Sequence, residues 1–391
     1  GVKGLSLKAQ AAYDSKTTIR TRVQKRIMTY TYSALDDSYA PSANYDPSIQ
    51  EQDWDSSRLN FQGSINYRNT FADAHNVSAV AVFETRRETG RYVSAKRFYD
   101  SDLFTTDNID RAPVNGQQAG GNTNEYTFVS VVGRFNYDYK SKYMVEFAFR
   151  EDGSYRYAPD QRWGFFPSVS LGWRLSQEAF MESYRDNVGD LKIRGSYGTL
   201  GNQSVGDYQY FTTYNVYSNT YAFNNVGVGG AGFQLGTDNL QWEVSKTFNV
   251  GFDASFFRGK LNLGFDYFNK HTTDILVKPQ TPLILGTELQ NYNAGEMRTQ
   301  GWELTLSYAL KKRDWSHFFQ FNIGDSWNKV LKYEGFEDIS GQEEFWRITR
   351  EGLPFNSYYG YKTDGFFQSY DEIAHSAVPT GKSVKPGDVK F

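Results

Sequence analysis

Four histidines, His75, His271, His317 and His375, are the first residues to test for chemistry in this sequence of 391 residues. They are scattered, with no H-E-x-x-H or paired-His spacing, so they form no helical zinc motif. No G-x-S-x-G elbow and no phosphate-cradling Walker loop occurs. Gly227, Gly229 and Gly232 match G-x-G-x-x-G. No strand-turn-helix surrounds them and no βαβ unit follows, so the match reads as a tightly turning or flexible loop. Asp100, Asp102, Asp107 and Asp110 put hard oxygens into one loop, which is the chemistry calcium uses. Their spacing is irregular, and a solvated acidic loop accounts for them as well. Carboxylates abound, but sequence does not give the separation that makes a glycosidase pair meaningful. Binding is the chemistry left. Tyr208, Tyr210, Tyr214, Tyr217 and Tyr221 fall in one long connection. Such rings stack on sugars or contact a partner protein; alternatively they pack among neighbouring loops. We assign no catalytic residue and expect a non-enzyme without a cofactor, calcium being the one candidate ion.

The elements that must carry these residues read as β-strands. In residues 127–139, Val129, Val131, Phe135, Tyr137 and Tyr139 alternate with Ser130, Arg134, Asn136 and Asp138. A polar turn, Lys140-Ser141-Lys142, reverses the chain. Tyr143, Val145, Phe147 and Phe149 return on one face, with Glu146 and Arg150 on the other. Period-two alternation over about ten residues per leg makes a two-faced hairpin. The same rhythm recurs along the chain and gives about fourteen strands. The first is read as turning at Asp14-Ser15-Lys16, with a second from about Thr17 to Tyr32. Short turns at residues 71–75, 140–142, 257–260 and 311–314 alternate with long loops at 91–125, 152–162, 199–241 and 272–299. The link 176–190 is intermediate and holds about one helical turn. Two further strands are expected near residues 345–351 and 357–366.

Alternating short and long connections suit a membrane-crossing meander, with tight turns on one side and long loops on the other. A soluble sandwich has no reason to keep that alternation. The composition agrees. Aromatic residues make up 17%, with 29 Tyr and 30 Phe, while mean hydropathy is negative. A barrel greasy outside and wet inside needs apolar residues only at alternate positions. Arg134, Arg174, Lys192 and Arg194 all lie on the polar phase. Trp163, Trp242, Trp302 and Trp327 fall at the long-loop ends of the strands as read here. Tyr13, Tyr139, Tyr143 and Trp315 fall at the short-turn ends, so two aromatic girdles are expected. No run is long and apolar enough for a membrane helix. The net charge of −3 gives no reason to expect nucleic acid as a partner, and the absence of cysteine excludes disulfides and thiolate metal sites.

The sequence resembles the SusC/RagA family of TonB-linked outer-membrane transporters. The resemblance rests on blocks in family order. Lys3-Gly4-Leu5-Ser6-Leu7 with Ala12-Tyr13-Asp14 comes first. Arg150-Glu151-Asp152-Gly153-Ser154 follows, and then the most specific run, Arg162-Trp163-Gly164-Phe165-Phe166-Pro167 through Gly172-Trp173-Arg174. Leu191-Lys192-Ile193-Arg194-Gly195 with Gly201-Asn202-Gln203, Gln241-Trp242-Glu243, Gly301-Trp302-Glu303-Leu304 and Gly352-Leu353-Pro354 complete it. The resemblance implies a 22-stranded antiparallel barrel with a plugged lumen. Residues 1–391 would be part of that barrel, the signal peptide, plug domain and closing strands lying outside this chain. It also implies a multi-pass protein of the outer membrane that imports a large glycan, oligosaccharide or peptide. A SusD-like lipoprotein and the TonB complex would be its partners. The reading from another class is a soluble carbohydrate-binding or adhesion β-sandwich. A β-rich glycosidase is a third, without a motif to support it.

Overall fold

A computed structural model of the chain describes residues 2–26, 28–43, 46–99, 108–114, 116–223, 226–335, 339–340, 346–378, 381 and 383–390. Its elements are β1 (Leu5–Gln24), β2 (Met28–Ser33), β3 (Ser38–Ala43), β4 (Ser48–Phe71), β5 (His75–Phe98), β6 (Gln118–Tyr139), β7 (Tyr143–Ser154) and β8 (Trp163–Arg174). There follow α1 (Glu182–Asn187), β9 (Gly189–Asn202), β10 (Thr213–Phe223), β11 (Val226–Gln234), β12 (Glu243–Phe256), β13 (Leu261–Val277), β14 (Tyr292–Lys312) and β15 (Trp315–Tyr333). Three two-residue strands, β16 (Ile339–Ser340), β17 (Arg347–Ile348) and β18 (Ser357–Tyr358), precede α2 (Tyr370–Ala374).

Eleven strands form one antiparallel sheet in the order β1-β4-β5-β6-β7-β8-β9-β12-β13-β14-β15. The strands missing from that order pair locally: β2 with β3 and β10 with β11 make hairpins inside long connections, and β16–β18 form a small sheet of their own. The tight turns fall where alternation stops. Ala72 and Asp73, Lys140 and Ser141, and Phe257 and Arg258 take up positive φ as adjacent pairs, which reverses a chain within a hairpin. In the second, Asp138 Oδ1 accepts a hydrogen bond from the Ser141 amide at 2.9 Å.

Register carries the physical argument. Tyr143, Trp173, Ile193, Phe252, Phe265, Leu304 and Ile323 sit directly opposite one another from β7 to β15. The next row reads Gly172, Arg194, Gly251, Asp266, Glu303 and Gly324. One face of the sheet is therefore apolar and the other charged. The apolar face is bare: Leu7 is 75%, Leu171 58% and Phe319 63% exposed. Among the described residues no second sheet covers it, which overturns the sandwich reading; a sandwich buries the inner faces of two sheets against each other. Bare apolar rows on a sheet whose other face is charged are stable where lipid covers them.

The apolar belt has a measurable height. Its lower border is an aromatic line, Phe71, His75, Tyr139, Tyr143 and Trp173, in direct register across five strands. Its upper border is the row Tyr13, Leu59, Arg87 and Thr127. From Phe71 to Leu59 is about 40 Å of strand at about 3.4 Å per residue. Tilted by about 40°, that spans roughly 30 Å, the thickness of a hydrocarbon core. Asn69 is the polar exception on this strand and donates to Tyr67 Oη at 3.2 Å.

Several expectations need correction. The main sheet has eleven strands rather than about fourteen. β1 does not turn at Asp14-Ser15-Lys16; those residues pair with Arg58, Ser57 and Ser56 and the strand runs on to Gln24. The loops read as 91–125, 199–241 and 272–299 are shorter, because β5, β6, β13 and β14 continue above the belt and the second of these connections holds β10 and β11. The strands expected near 345–351 and 357–366 shrink to β17 and β18; residues 341–345 lie outside the described set. Tyr13 belongs to the upper border, not to the short-turn end. Trp302 lies mid-β14 opposite Tyr267. Trp242 is buried with Tyr157, Phe166, Val205 and Leu240 rather than standing in a girdle. The 176–190 link holds α1 and two 3-10 turns, somewhat more than one helical turn.

Candidate functional site on the polar face

The polar face collects its charges because β9, β12, β13 and β14 are adjacent and in register. Arg194 of β9 is bracketed by Asp253 of β12 and Asp266 of β13. Its Nε donates to Asp253 Oδ2 at 3.1 Å and its Nη2 to Asp266 Oδ2 at 2.6 Å. Its Nη1 also donates to Asp266 Oδ1, so the fork engages that carboxylate at both oxygens. Arg174, Asp190, Lys192 and Glu303 are the other charged residues that line a cavity of about 510 Å3 here. Lys192 and Glu303 make no ion pair among the described residues. A guanidinium held by two carboxylates is locked in place and offers no nucleophile or free base. The wall presents fixed charge to whatever lies beside it, with Lys192 and Glu303 left to respond.

Above the belt the same face carries rings. Trp54 stacks on Tyr92 with centroids 5.2 Å apart, and the Arg20 guanidinium lies 5.4 Å over the indole. Gln52 Nε2 donates to Tyr92 Oη at 2.9 Å. Such a platform accepts a planar or ring-shaped ligand. Nearer the centre of the sheet, Arg150 joins Asp152 at 2.7 Å and Ser130 Oγ at 2.7 Å, and both of those partners are buried.

A family model described as "TonB dependent receptor-like, beta-barrel" matches residues 2–375. The chain belongs to that family. "TonB-dependent receptor P39" of Formosa agariphila is 33% identical over 327 residues, covering 82% of this chain and 30% of that protein. "TonB-dependent receptor SusC" of Bacteroides thetaiotaomicron is 30% identical over 263 residues, covering 63% of this chain and 26% of that protein. Among solved structures, that of the "RagAB peptide transporter" is similar with a TM-score of 0.79 at 23% identity, over 94% of this chain and 39% of that one. The chain spans about a third of the length of the curated relatives it matches. The SusC/RagA resemblance and the barrel fold are thereby shown, and the sheet is part of an outer-membrane β-barrel.

Within this family barrel the structure separates Tyr208 and Tyr210 from Tyr214. Tyr208 and Tyr210 stand in a turn with Phe211, Tyr210 and Phe211 at a centroid distance of 4.2 Å. Tyr208 also meets Tyr155 edge-on at 5.6 Å. Burial and the neighbouring Asp207 carboxylate push the Tyr155 hydroxyl up to about 12. Tyr214 lies on β10 and is largely exposed. Tyr217 and Tyr221 occupy β10 opposite Gly230 and Val228, their side chains falling outside the described set. Asp100, Asp102 and Asp107 lie outside the described residues, and Asp110 sits in the 3-10 turn Ile109–Arg111. Sequence reasoning found Arg174, Lys192 and Arg194 but missed Asp253, Asp266 and Glu303. The available signal was their place on the polar phase of strands already read correctly. It also missed the Trp54–Tyr92 platform, whose Tyr92 falls in the loop read as 91–125.

Proposed function

We propose that the full-length protein imports a large nutrient, a glycan, oligosaccharide or peptide, across the outer membrane. The energy comes from the TonB complex acting through parts of the protein outside this chain. A SusD-like surface lipoprotein hands cargo to the mouth. The observation that carries the reading is the two-phase sheet, lipid-compatible on one side and charged on the other, in a chain 30% identical to SusC over 263 residues. The charged wall around Arg194 lines the passage, and the Trp54–Tyr92 platform, with tyrosines of the β9–β12 connection, meets cargo near the rim.

The test is deletion of the full-length gene and complementation in the native host. Uptake of fluorescent oligosaccharide and peptide libraries is measured, with affinity capture of the tagged transporter. Energy-dependent loss of one cargo class and co-capture of a surface lipoprotein are the expected results. Wild-type uptake of every cargo class in the deletion strain refutes import.

A further inference from the structure

Above the belt, β1, β4, β5 and β6 sort their charges by face. Lys16, Arg20 and Arg22 of β1 and Lys96 of β5 lie on the lumen phase, the phase of Trp54 and Tyr92. The register runs without a shift across these four strands, so that phase continues to the rim. Its rows climb from Lys16–Ser56–Gly90–Asn124 to Arg22–Gln50–Lys96–Gln118, and no Asp or Glu stands in them. The carboxylates at this height, Glu51, Asp53, Asp55 and Glu125, occupy the outward phase, with Arg91 opposite Asp55. Both faces meet water here, so burial does not sort the charges. What each face meets does.

The lumen-side cations are uncommitted. Lys16, Arg20, Arg22 and Lys96 make no ion pair among the described residues. The Arg20 guanidinium lies over the Trp54 ring, and the Lys96 ammonium stands 4.5 Å from the centre of the Phe98 ring. Asp207 approaches the base of this wall beside Ser56, Gly90 and Asn124, but Arg156 already holds it at 3.0 Å. A wall of one sign at the mouth of a passage concentrates ligands of the other sign. Between the cations stand Gln50, Gln52, Gln118, Asn122 and Asn124, whose amides both donate and accept, as sugar hydroxyls do. Trp54 and Tyr92 add ring faces for stacking. From Lys16 to Arg22 is about 20 Å of strand, which suits an extended chain better than a single ring.

We propose that this rim wall selects acidic oligosaccharide as cargo. The sugar rings rest on the Trp54–Tyr92 platform, and carboxylate or sulfate groups pair with Arg20, Arg22 and Lys96. The inference rests on the import reading above and narrows its cargo to one chemical class.

The test is calorimetric binding to the full-length transporter in detergent. The probes are oligogalacturonate and its methyl ester, a sulfated galactan oligosaccharide and its desulfated form, and oligoglutamate of matched length. At least one acidic sugar binds, and its neutral counterpart binds at least about tenfold more weakly. Which acid binds separates a carboxylate cargo from a sulfate one. Arg22→Gln and Lys96→Gln each weaken binding about threefold, and the triple change Arg20→Gln/Arg22→Gln/Lys96→Gln about thirtyfold. Arg22→Lys stays close to wild type, and Glu51→Gln, on the outward phase at the same height, changes nothing. Failure of both acidic sugars to bind, equal binding of acidic and neutral forms, or wild-type affinity in the triple variant overturns the proposal. Oligoglutamate binding more tightly than both acidic sugars also overturns it and makes the wall a peptide site. Energised uptake by cells is read separately. Uptake confined to neutral cargo overturns this inference and leaves import standing; acidic-sugar binding without uptake of any cargo refutes import and leaves the wall an acidic-sugar site.

Discussion

Placing an arginine at successive depths on β4 tests the assignment of the two faces. Ile65 lies in the row Leu7–Ile65–Ala81–Gly133–Phe149, midway between the Phe71 and Leu59 borders. A charge there meets the bilayer centre, and Ile65→Arg costs about 2–4 kcal/mol. Phe71→Arg, at the lower border, costs about 0–1 kcal/mol because the headgroup region solvates it. Asn66→Arg is one residue from Ile65 but on the lumen phase, and its effect stays within about 0.5 kcal/mol. The assay is guanidinium unfolding of the full-length protein in phosphatidylcholine vesicles, read by tryptophan fluorescence and gel mobility. With a slope of about 4 kcal/mol/M, a loss of about 3 kcal/mol lowers the midpoint by roughly 0.7 M. Equal shifts for Ile65→Arg and Asn66→Arg, or a larger shift for the latter, refute the two-phase argument.

Arg194→Ala leaves Asp253 and Asp266 facing each other without their shared cation; allowing for partial solvent exposure, it destabilises the barrel by about 2 kcal/mol. Asp266→Asn in the same background recovers part of that loss in a double-mutant cycle, and strict additivity of the two changes contradicts the geometry. At the periplasmic turn, Lys142 first, then the Tyr143 hydroxyl and the Trp173 indole, hold the Glu178 carboxyl down to about 2 from its ordinary 4.5. The stabilisation from this knot is present above about pH 4.5 and is lost as pH falls toward 2. Thermal melting across that window flattens in Glu178→Gln, and an unchanged pH profile counts against the knot. A methyl group on Gly133 comes within 2.3 Å of the Phe149 ring. Gly133→Ala therefore costs about 1 kcal/mol by displacing the ring, and Phe149→Leu relieves the clash in a paired measurement.

Much of the sheet is legible in the sequence below the upper border, where lipid enforces strict alternation. The turns at Lys140-Ser141-Lys142 and around Arg258 stand out because alternation ends there abruptly. Above the border both faces meet water, and the pattern that identifies a strand disappears. Asp14-Ser15-Lys16 has the composition of a turn for that reason, although each residue is paired across to β4. The same loss hid the upper halves of β5 and β6 inside what reads as one loop. The lumen cluster was half visible. Arg194 announces itself as a cation on a polar phase, but its partners lie 59 and 72 residues further on, and only strand order and register bring them together. Tyr208 and Tyr214 share a segment of sequence, yet the hairpin β10–β11 separates a turn from a strand.

The height of the sheet has a consequence for what attacks the cell surface. β4 continues from Leu59 to Ser48 beyond the belt, and β5 keeps pace with it to Phe98. That extension is about 37 Å of strand, roughly 28 Å of vertical wall at the same tilt. Proteases need several residues of unpaired backbone, and a continuous ladder denies them that. Shaving intact cells should therefore clip the connections around β2–β3 and β10–β11 while sparing the wall beneath. The exterior presented to antibodies and phage is then a parapet of paired strands topped by trimmable crests, and escape variants should accumulate in those crests before the wall.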